Sequence, residues 1–405
     1  MKKMVIVQLI TLINIEEVKY IVIKNIYYDI KSKESILFFL GWSLIVFLSP
    51  LGNTSLGLLL LLIYTGYKLW KKEKSFFNYH KSIYKITGLF LLWAFISSIF
   101  AYEKKLALLS LLGYALVLYI IFFGAKKLII YRSFLEKLLT PLLSIGITIS
   151  SIYTLYNYFI MGMNRSESLF VSINGTGTLM AFSSIFLFAY FECIKTKTKY
   201  LILIPTILSI SALLLTFSRG ALLGFLSGFV IYNLKSRKSI SILLIVLIIL
   251  FSTIYFVPQL NNRVSSIFSL EKNQNRIFIW KSTINIIKDH PFLGIGPGNF
   301  SIVYPEYRSP DAIEKTHPFS HNIFSNMAAE LGFVGLIIFS IIIFQLLKMG
   351  YYISKINPLL RSLYAGFIAI LVHQQFDCTI LGIEIAGLFW LIAGLIAAYY
   401  YKLNP

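Results

Sequence analysis

Apolar residues in this chain form long runs, and short polar or basic segments separate one run from the next. A helix needs about 20 mostly apolar residues to cross a bilayer, because lipid offers no hydrogen-bond partners to the backbone. On that basis the pattern predicts an all-α, polytopic membrane protein. It has about twelve transmembrane helices, at 36–49, 54–67, 86–101, 106–124, 138–159, 173–190, 200–217, 220–234, 240–258, 321–347, 359–377 and 380–401.

The composition supports this class. Hydrophobic residues make up 57% of the 405 residues and charged residues only 13%, whereas a soluble protein is nearer half apolar and a quarter charged. A water-soluble enzyme and a long disordered region are therefore excluded. Cys193 and Cys378, predicted at opposite membrane faces, cannot form a disulfide scaffold.

The order of the runs divides the chain into four parts. Residues 1–35 begin with Met1-Lys2-Lys3, and charges interrupt their apolar stretch, which predicts an amphipathic lead-in on the cytoplasmic membrane surface rather than a cleaved signal. Residues 36–258 hold the first nine spans, 259–320 form one long connection, and 321–405 hold the last three spans.

Charge predicts the orientation. The chain has 37 Lys and Arg against 17 Asp and Glu, a formal net charge of +20, and every second short connection is basic. Basic connections stay in the cytoplasm, which places both termini there and the long connection outside. On so apolar a chain the basic excess indicates contact with membrane lipids, and no motif indicates nucleic acid.

The arginines follow a different distribution. Five of the eight are predicted to lie on the outer side: Arg165, Arg219, Arg263, Arg276 and Arg308. A guanidinium binds two phosphate oxygens at once, so the outer face is the expected place for an anionic ligand. Chance in a small sample is the alternative, and Arg219 could also reach lipid phosphates from a helix end.

The long connection is predicted to be a small external domain. Residues 276–289 have helical spacing, with Ile277, Trp280, Ile284 and Ile287 on one face, and Pro291 ends the helix. The glycines at 294, 296 and 298 suggest a phosphate loop. However, no Lys-Ser/Thr follows them, and a tight turn is the better interpretation.

Histidines and one acid complete the candidate site. His317 and His321 close the external domain, and His321-Asn322 begins the tenth span. His373 and Asp377, four residues apart near the outer end of the eleventh span, are expected on one helix face. Ordinary interface histidines and a structural polar patch are the alternatives. Weaker candidates are Asn174, Glu330 and Glu384.

These groups suit transfer from a lipid diphosphate to a sugar hydroxyl. Fixed arginines stabilise charge on the departing oxygens, and a neutral histidine accepts the proton of the hydroxyl. The first outer connection, residues 51–53, has no Asp or Glu that could bind a divalent metal. We therefore expect no metal, and we expect no other cofactor.

Several segments resemble the O-antigen ligase and polymerase superfamily in order and spacing. In chain order these segments are Phe217-Ser-Arg-Gly-Ala, residues 275–280, residues 290–300, His321-Asn-Ile-Phe and residues 329–335. The resemblance covers roughly residues 218–377, and the first half is similar only in hydropathy.

The resemblance implies an inverting, metal-independent glycosyltransferase of GT-C-like architecture in the bacterial inner membrane. Its donor would be an undecaprenyl-diphosphate-linked glycan, and its acceptor a glycan or lipid A core. His321 would be the base, Arg219 and Arg276 would hold the donor diphosphate, and Asp377 would have an orienting or electrostatic role. With these roles, Arg219, Arg276 and His321 are expected to converge on one cavity that opens to lipid and to water. His317 could replace His321 as the base.

Two alternatives remain. A repeat-unit polymerase of the same superfamily differs from a ligase only in its acceptor, although the modest external domain leans towards ligase. A transporter or lipid-linked glycan flippase also fits twelve spans. Transporters place polar elements at mid-membrane in two similar halves, whereas the candidate residues here gather at the outer rim.

Overall fold

The computed structural model describes residues 36–71, 81–131, 138–235, 237–266, 269–312 and 314–404. The predicted lead-in, residues 1–35, lies outside these described residues. Within them the regular structure is helical, and a single isolated β-bridge joins Ser168 and Val171.

The main helices follow the apolar runs of the sequence. In chain order they are α1 (Ile36–Leu48), α2 (Ser55–Trp70), α3 (Ser82–Ile99), α4 (Lys104–Val117), α5 (Thr140–Phe159), α6 (Ile173–Cys193), α7 (Leu203–Leu215), α8 (Arg219–Asn233), α9 (Arg237–Phe256), α10 (Pro258–Ser265), α11 (Leu270–Asp289), α12 (Phe300–Tyr307), α13 (Ile323–Ile353), α14 (Pro358–His373) and α15 (Ile383–Leu403).

Each of the twelve predicted spans overlaps one of these helices. Within the described residues, six helical segments are long and apolar enough to cross a membrane: Ser82–Ile99, Ile173–Cys193, Lys197–Leu215, Ser239–Phe256, Ile323–Ile353 and Ile383–Leu403. The helices α1, α2 and α14 are apolar but shorter. The described part of the protein is therefore helical and carries several candidate spans, while the count of twelve crossings and the GT-C-like architecture stay predictions.

Close packing around α14 brings the ends of several helices together. α14 packs against α6 and α8, and α8 presents small residues to it. A Cβ at Gly224 would overlap the backbone carbonyl of Ala369, and one at Gly228 would overlap that of Ala365. Because small residues let helix backbones approach, the start of α8, with Arg219, lies beside the end of α14.

The segment between α9 and α13 has its own small core. Ile279, Ile286, Ile295, Phe300, Val303, Tyr304 and Ala329 form it. The predicted helix at 276–289 is the second part of α11, but the expected single apolar face is wrong. Ile279 and Ile286 are fully buried, Ile284 is 51% exposed, and Ile277 and Trp280 line a cavity. The helix has apolar residues on two faces because it lies between the small core and the cavity.

The glycine-rich segment anchors this part of the chain to α13. Gly294, Gly296 and Gly298 all have positive φ, at 70°, 96° and 73°. The Ile295 N–H donates to the carbonyl of Ala329 at 3.0 Å, and the Gly296 N–H donates to that of Glu330 at 2.9 Å. α13 leaves helical geometry at Gly332, which frees these carbonyls. The glycines therefore form a structural turn.

Candidate active site

Two arginines from different helices line one cavity. Arg219 begins α8 and Arg276 lies on α11, and the cavity between them has a volume of about 240 Å³. Its remaining walls are mostly apolar: Gly220, Leu223, Asn273, Ile277, Trp280 and Phe376. The cavity thus combines two cations with apolar walls.

Arg219 is held in place by neutral groups. Its Nη1 donates to the carbonyl and hydroxyl oxygens of Ser266 at 2.8 and 3.0 Å, and its Nη2 donates to Oδ1 of Asn273 at 2.7 Å. These acceptors fix the guanidinium without neutralising its charge. An anion in the cavity would therefore meet a cation that is already oriented.

Arg276 lines the cavity with unused donors. Its side chain is partly buried, and among the described residues no hydrogen-bond or ion-pair partner lies within reach of its guanidinium. Burial lowers the pKa of Arg276, and the charges of Asp377 and Glu314 oppose that shift. A partly buried cation without a partner is costly, which makes this group a candidate for ligand binding.

Arg165, between α5 and α6, belongs to the same cationic group. The pKa of Arg165 is lowered to about 10 by burial and by three neighbouring guanidinium groups, those of Arg263, Arg276 and Arg219. Asp377 is the acid that opposes the shift. The sequence predicted Arg165 on the same side of the membrane but did not assign it to the site, because its neighbours come from distant parts of the chain.

His321 faces a carboxylate. Its Nδ1 lies 3.8 Å from Oδ2 of Asp377, and the two side chains are only 14% and 12% exposed. His321 has φ of 59°, and among the described non-glycine residues only Phe217, two residues before Arg219, shares a positive φ. Such backbone conformations cost about 1–3 kcal/mol and persist where the surroundings fix them.

Asn322 supplies part of that surrounding structure. Its Oδ1 accepts the N–H groups of Phe324 and Ser325 at 3.0 Å, which caps α13. Its Nδ2 donates to the carbonyl of Gln375 at 3.2 Å. Asn322 therefore joins the start of α13 to the loop that carries Asp377.

The carboxyl group of Asp377 is held ionised. Burial alone would raise its pKa, but the adjacent imidazoles of His321 and His373 and the backbone N–H of Cys378 hold the pKa well below its ordinary value. The His321 imidazole therefore has a negative charge beside Nδ1. Nε2 is the ring nitrogen that does not face Asp377.

His317 lies against His321. The two ring centroids are 4.2 Å apart, the Nδ1–H of His317 donates to the carbonyl of Phe319 at 2.6 Å, and Nε2 is 3.3 Å from the carboxylate of Glu314. Burial, and then the proximity of His321, lower the pKa of His317. The structure thus brings both candidate bases together.

The expectation that His373 and Asp377 share a helix face is wrong. α14 ends at His373, and Asp377 lies in the following loop. The side chain of Gln374 closes this loop by donating to Thr379 Oγ1 at 2.8 Å. His373 is buried, with Nδ1 2.7 Å from Thr178 Oγ1 and Nε2 3.4 Å from Ser218 Oγ. The rule of four-residue spacing fails because the helix does not continue.

Other predicted residues are placed apart from the cavity. His321 is not among the residues that line it, so the expectation of one shared cavity holds for the two arginines only. Glu384 accepts a hydrogen bond from Ser172 at 3.3 Å, and Glu330 is buried beside the glycine-rich turn. In the described part of the chain, no three His, Cys, Asp or Glu side chains group as metal ligands would.

The comparison with protein families agrees with the sequence motifs. Residues 204–340, about a third of the chain, match the family model described as O-antigen ligase. This match confirms the resemblance to the O-antigen ligase and polymerase superfamily and, with the apolar helices, indicates an integral membrane enzyme of this type. No curated protein matches the chain. The matched segment contains Arg219, Arg276 and His321 but neither Arg165 nor Asp377.

Proposed function

We propose that this protein is a membrane glycosyltransferase of the O-antigen ligase type. It transfers a glycan from undecaprenyl diphosphate to an acceptor hydroxyl at the outer face of the bacterial inner membrane. The observation that carries the proposal is the pair Arg219 and Arg276, which line one cavity with mostly apolar walls. The wall residue Phe376 directly precedes Asp377, whose carboxylate faces His321.

The arginines would hold the donor. A lipid diphosphate carries negative oxygens at the end of an apolar chain, and the cavity offers guanidinium donors beside Leu223, Ile277 and Trp280. The negative charge on the diphosphate increases as the glycosidic bond breaks. Donors that are already fixed, as Arg219 is by Ser266 and Asn273, stabilise that charge with little reorganisation.

His321 would act as the base. With Nδ1 facing the Asp377 carboxylate, Nε2 accepts the proton of the acceptor hydroxyl, and Asp377 stabilises the imidazolium that forms. The hydroxyl attacks the sugar on the face opposite the diphosphate, so the reaction inverts the anomeric centre. No step of this scheme requires a metal ion.

In vitro transfer by the purified protein in detergent tests the proposal. A defined undecaprenyl-diphosphate-linked repeat is supplied with either a lipid A-core acceptor or a second copy of the repeat. We expect one-step attachment to the core, which is ligase activity. A ladder of lengthened product would instead indicate the polymerase of the same superfamily. Absence of transfer in detergent, with movement of the lipid-linked glycan across sealed vesicles, would replace the proposal by a flippase.

A further inference from the structure

Asp377 is held by a chain of hydrogen bonds that begins outside the segment matched by the family. Nδ2 of Asn174, in the first turn of α6, donates to Oδ2 of Asp377, the same oxygen that faces His321. Oδ1 of Asn174 in turn accepts from Nη2 of Arg165 at 3.3 Å. Arg165 also donates from Nε to the carbonyl of Thr216 at 3.0 Å, which ties the chain to the end of α7.

The direction of these bonds is fixed by chemistry. A guanidinium only donates hydrogen bonds, so the amide oxygen of Asn174 must face Arg165. The amide nitrogen is then left to donate to the carboxylate of Asp377, which only accepts. Arg165 and Asp377 therefore select one of the two orientations that an asparagine side chain can take.

The second oxygen of Asp377 shows why this chain matters. Oδ1 accepts the backbone N–H of its neighbour Cys378 at 2.8 Å, which is a contact within the same loop. Oδ2, the oxygen 3.8 Å from His321, has its hydrogen bond from Asn174 instead. The position of the carboxylate relative to the imidazole thus depends on α6 and on the connection before it.

We propose that Asn174 and Arg165 are positioning residues that hold the Asp377 carboxylate beside the His321 imidazole. This inference rests on the proposed function, in which His321 is the base. It assigns part of the site to residues 165–174, a region where the sequence resembles the family only in hydropathy.

Asn174→Ala, compared with Asn233→Ala, tests the inference in the transfer assay. Asn233, at the other end of α8 from Arg219, is a matched control because it is a buried amide that donates to a backbone carbonyl, that of Phe229, at 2.8 Å. A hydrogen bond to a charged group is worth about 1.5–3 kcal/mol, so we expect kcat of Asn174→Ala to fall about 10- to 100-fold. The donor KM should change less than about twofold, because the cavity arginines remain.

The control variant should lose thermal stability in detergent without a comparable loss of kcat. Equal loss of kcat in both variants at equal loss of Tm would mean that Asn174 is only structural, and would overturn the inference. Arg165→Lys adds a second test. Since both residues act through one chain, Arg165→Lys combined with Asn174→Ala should lower kcat little more than Asn174→Ala alone. Additive losses would overturn the role of Arg165.

Exchanging the two partners separates positioning from stability. Asn174→Asp alone places a second carboxylate beside that of Asp377, and the repulsion between the two should lower Tm. The double variant Asn174→Asp, Asp377→Asn restores an amide–carboxylate pair and gives Arg165 an acid partner, so Tm should recover. Transfer should not recover, because the carboxylate no longer faces His321. Recovery of transfer in the double variant would overturn the inference.

The wild-type assay keeps the two proposals apart. If the wild type transfers the glycan and Asn174→Ala has the same kcat as the wild type, the proposed function stands and the positioning role is refuted. Absence of transfer by the wild type with every acceptor would refute the proposed function, and the positioning role would fall with it.

Discussion

Replacing Asp377 with asparagine removes one negative charge beside His321 and changes the volume of the side chain little. The two groups are 3.8 Å apart and both are at least 86% buried. At that separation two unit charges interact by about 4 kcal/mol with an effective dielectric constant near 20. The imidazolium is only partly formed in the transition state, so we expect a loss of about 2–4 kcal/mol. This corresponds to a fall in kcat of about 30- to 1,000-fold.

The same substitution creates a hydrogen-bond conflict. Oδ1 of Asp377 accepts from the Cys378 N–H and Oδ2 accepts from Asn174, so an amide at this position must turn its NH₂ towards one of two donors. Some loss of stability is therefore expected, and kcat must be compared per folded protein, with the folded fraction taken from Tm and from the monodisperse peak in detergent.

Asp289→Asn is the matched control for this prediction. Asp289 accepts a hydrogen bond from Tyr307 at 2.9 Å at the end of α11, and its loss of charge should leave kcat within about twofold of the wild type, as is usual for surface changes. A kcat for Asp377→Asn within threefold of the wild type would refute the argument that its charge supports the His321 base.

Four further predictions concern the base, the donor site, pH and metal. His321→Ala should lower kcat by about 10²- to 10⁴-fold while donor binding, measured by tryptophan fluorescence, persists; near-normal transfer with His317 intact would make His317 the base. Arg276→Lys should raise the donor KM about 10- to 100-fold although lysine keeps the positive charge, because an ammonium group cannot donate two parallel hydrogen bonds to the diphosphate. An unchanged KM would remove Arg276 from the donor site. Because burial and the nearby His321 lower the pKa of His317, the unfolded chain binds more protons than the folded protein below the ordinary histidine pKa of about 6.5. The contribution of His317 to stability should therefore be full above that pH and fall below it. In His317→Gln, Tm should fall less as the pH is lowered than in the wild type. The same dependence of Tm on pH in both proteins would contradict the effect of burial. EDTA should leave transfer unchanged, and inhibition reversed by a divalent ion would refute the metal-free mechanism.

Two signals in the sequence lead to Arg219 and Arg276. Both are among the five arginines predicted on the outer side, the family resemblance assigns them to the donor diphosphate, and the structure places both on one cavity. Arg165 is also predicted on the outer side, but the resemblance assigns it no role. Its role depends on Asn174 and Thr216, and no local pattern in the sequence joins these three residues.

His373 and Asp377 illustrate the opposite case. Their four-residue spacing predicts a shared face only while the helix continues, and the amides of Gln374 and Asn322 instead close a loop at its end. Where a helix stops inside a polar sequence depends on the partners that the rest of the protein supplies. The single apolar face expected for α11 failed for a similar reason, because two different neighbours cover that helix.

By itself, the sequence determined the all-helical membrane class, the approximate positions of the long apolar helices and the family resemblance. These follow from local regularities, since backbone groups in lipid must pair within their own segment and motifs keep their order. Only the tertiary structure decided that Asp377 faces His321, that Asn174 links it to Arg165 by hydrogen bonds, and that His373 is buried among hydroxyl groups. Such contacts join residues far apart in the chain, and they depend on how closely α6, α8 and α14 approach one another.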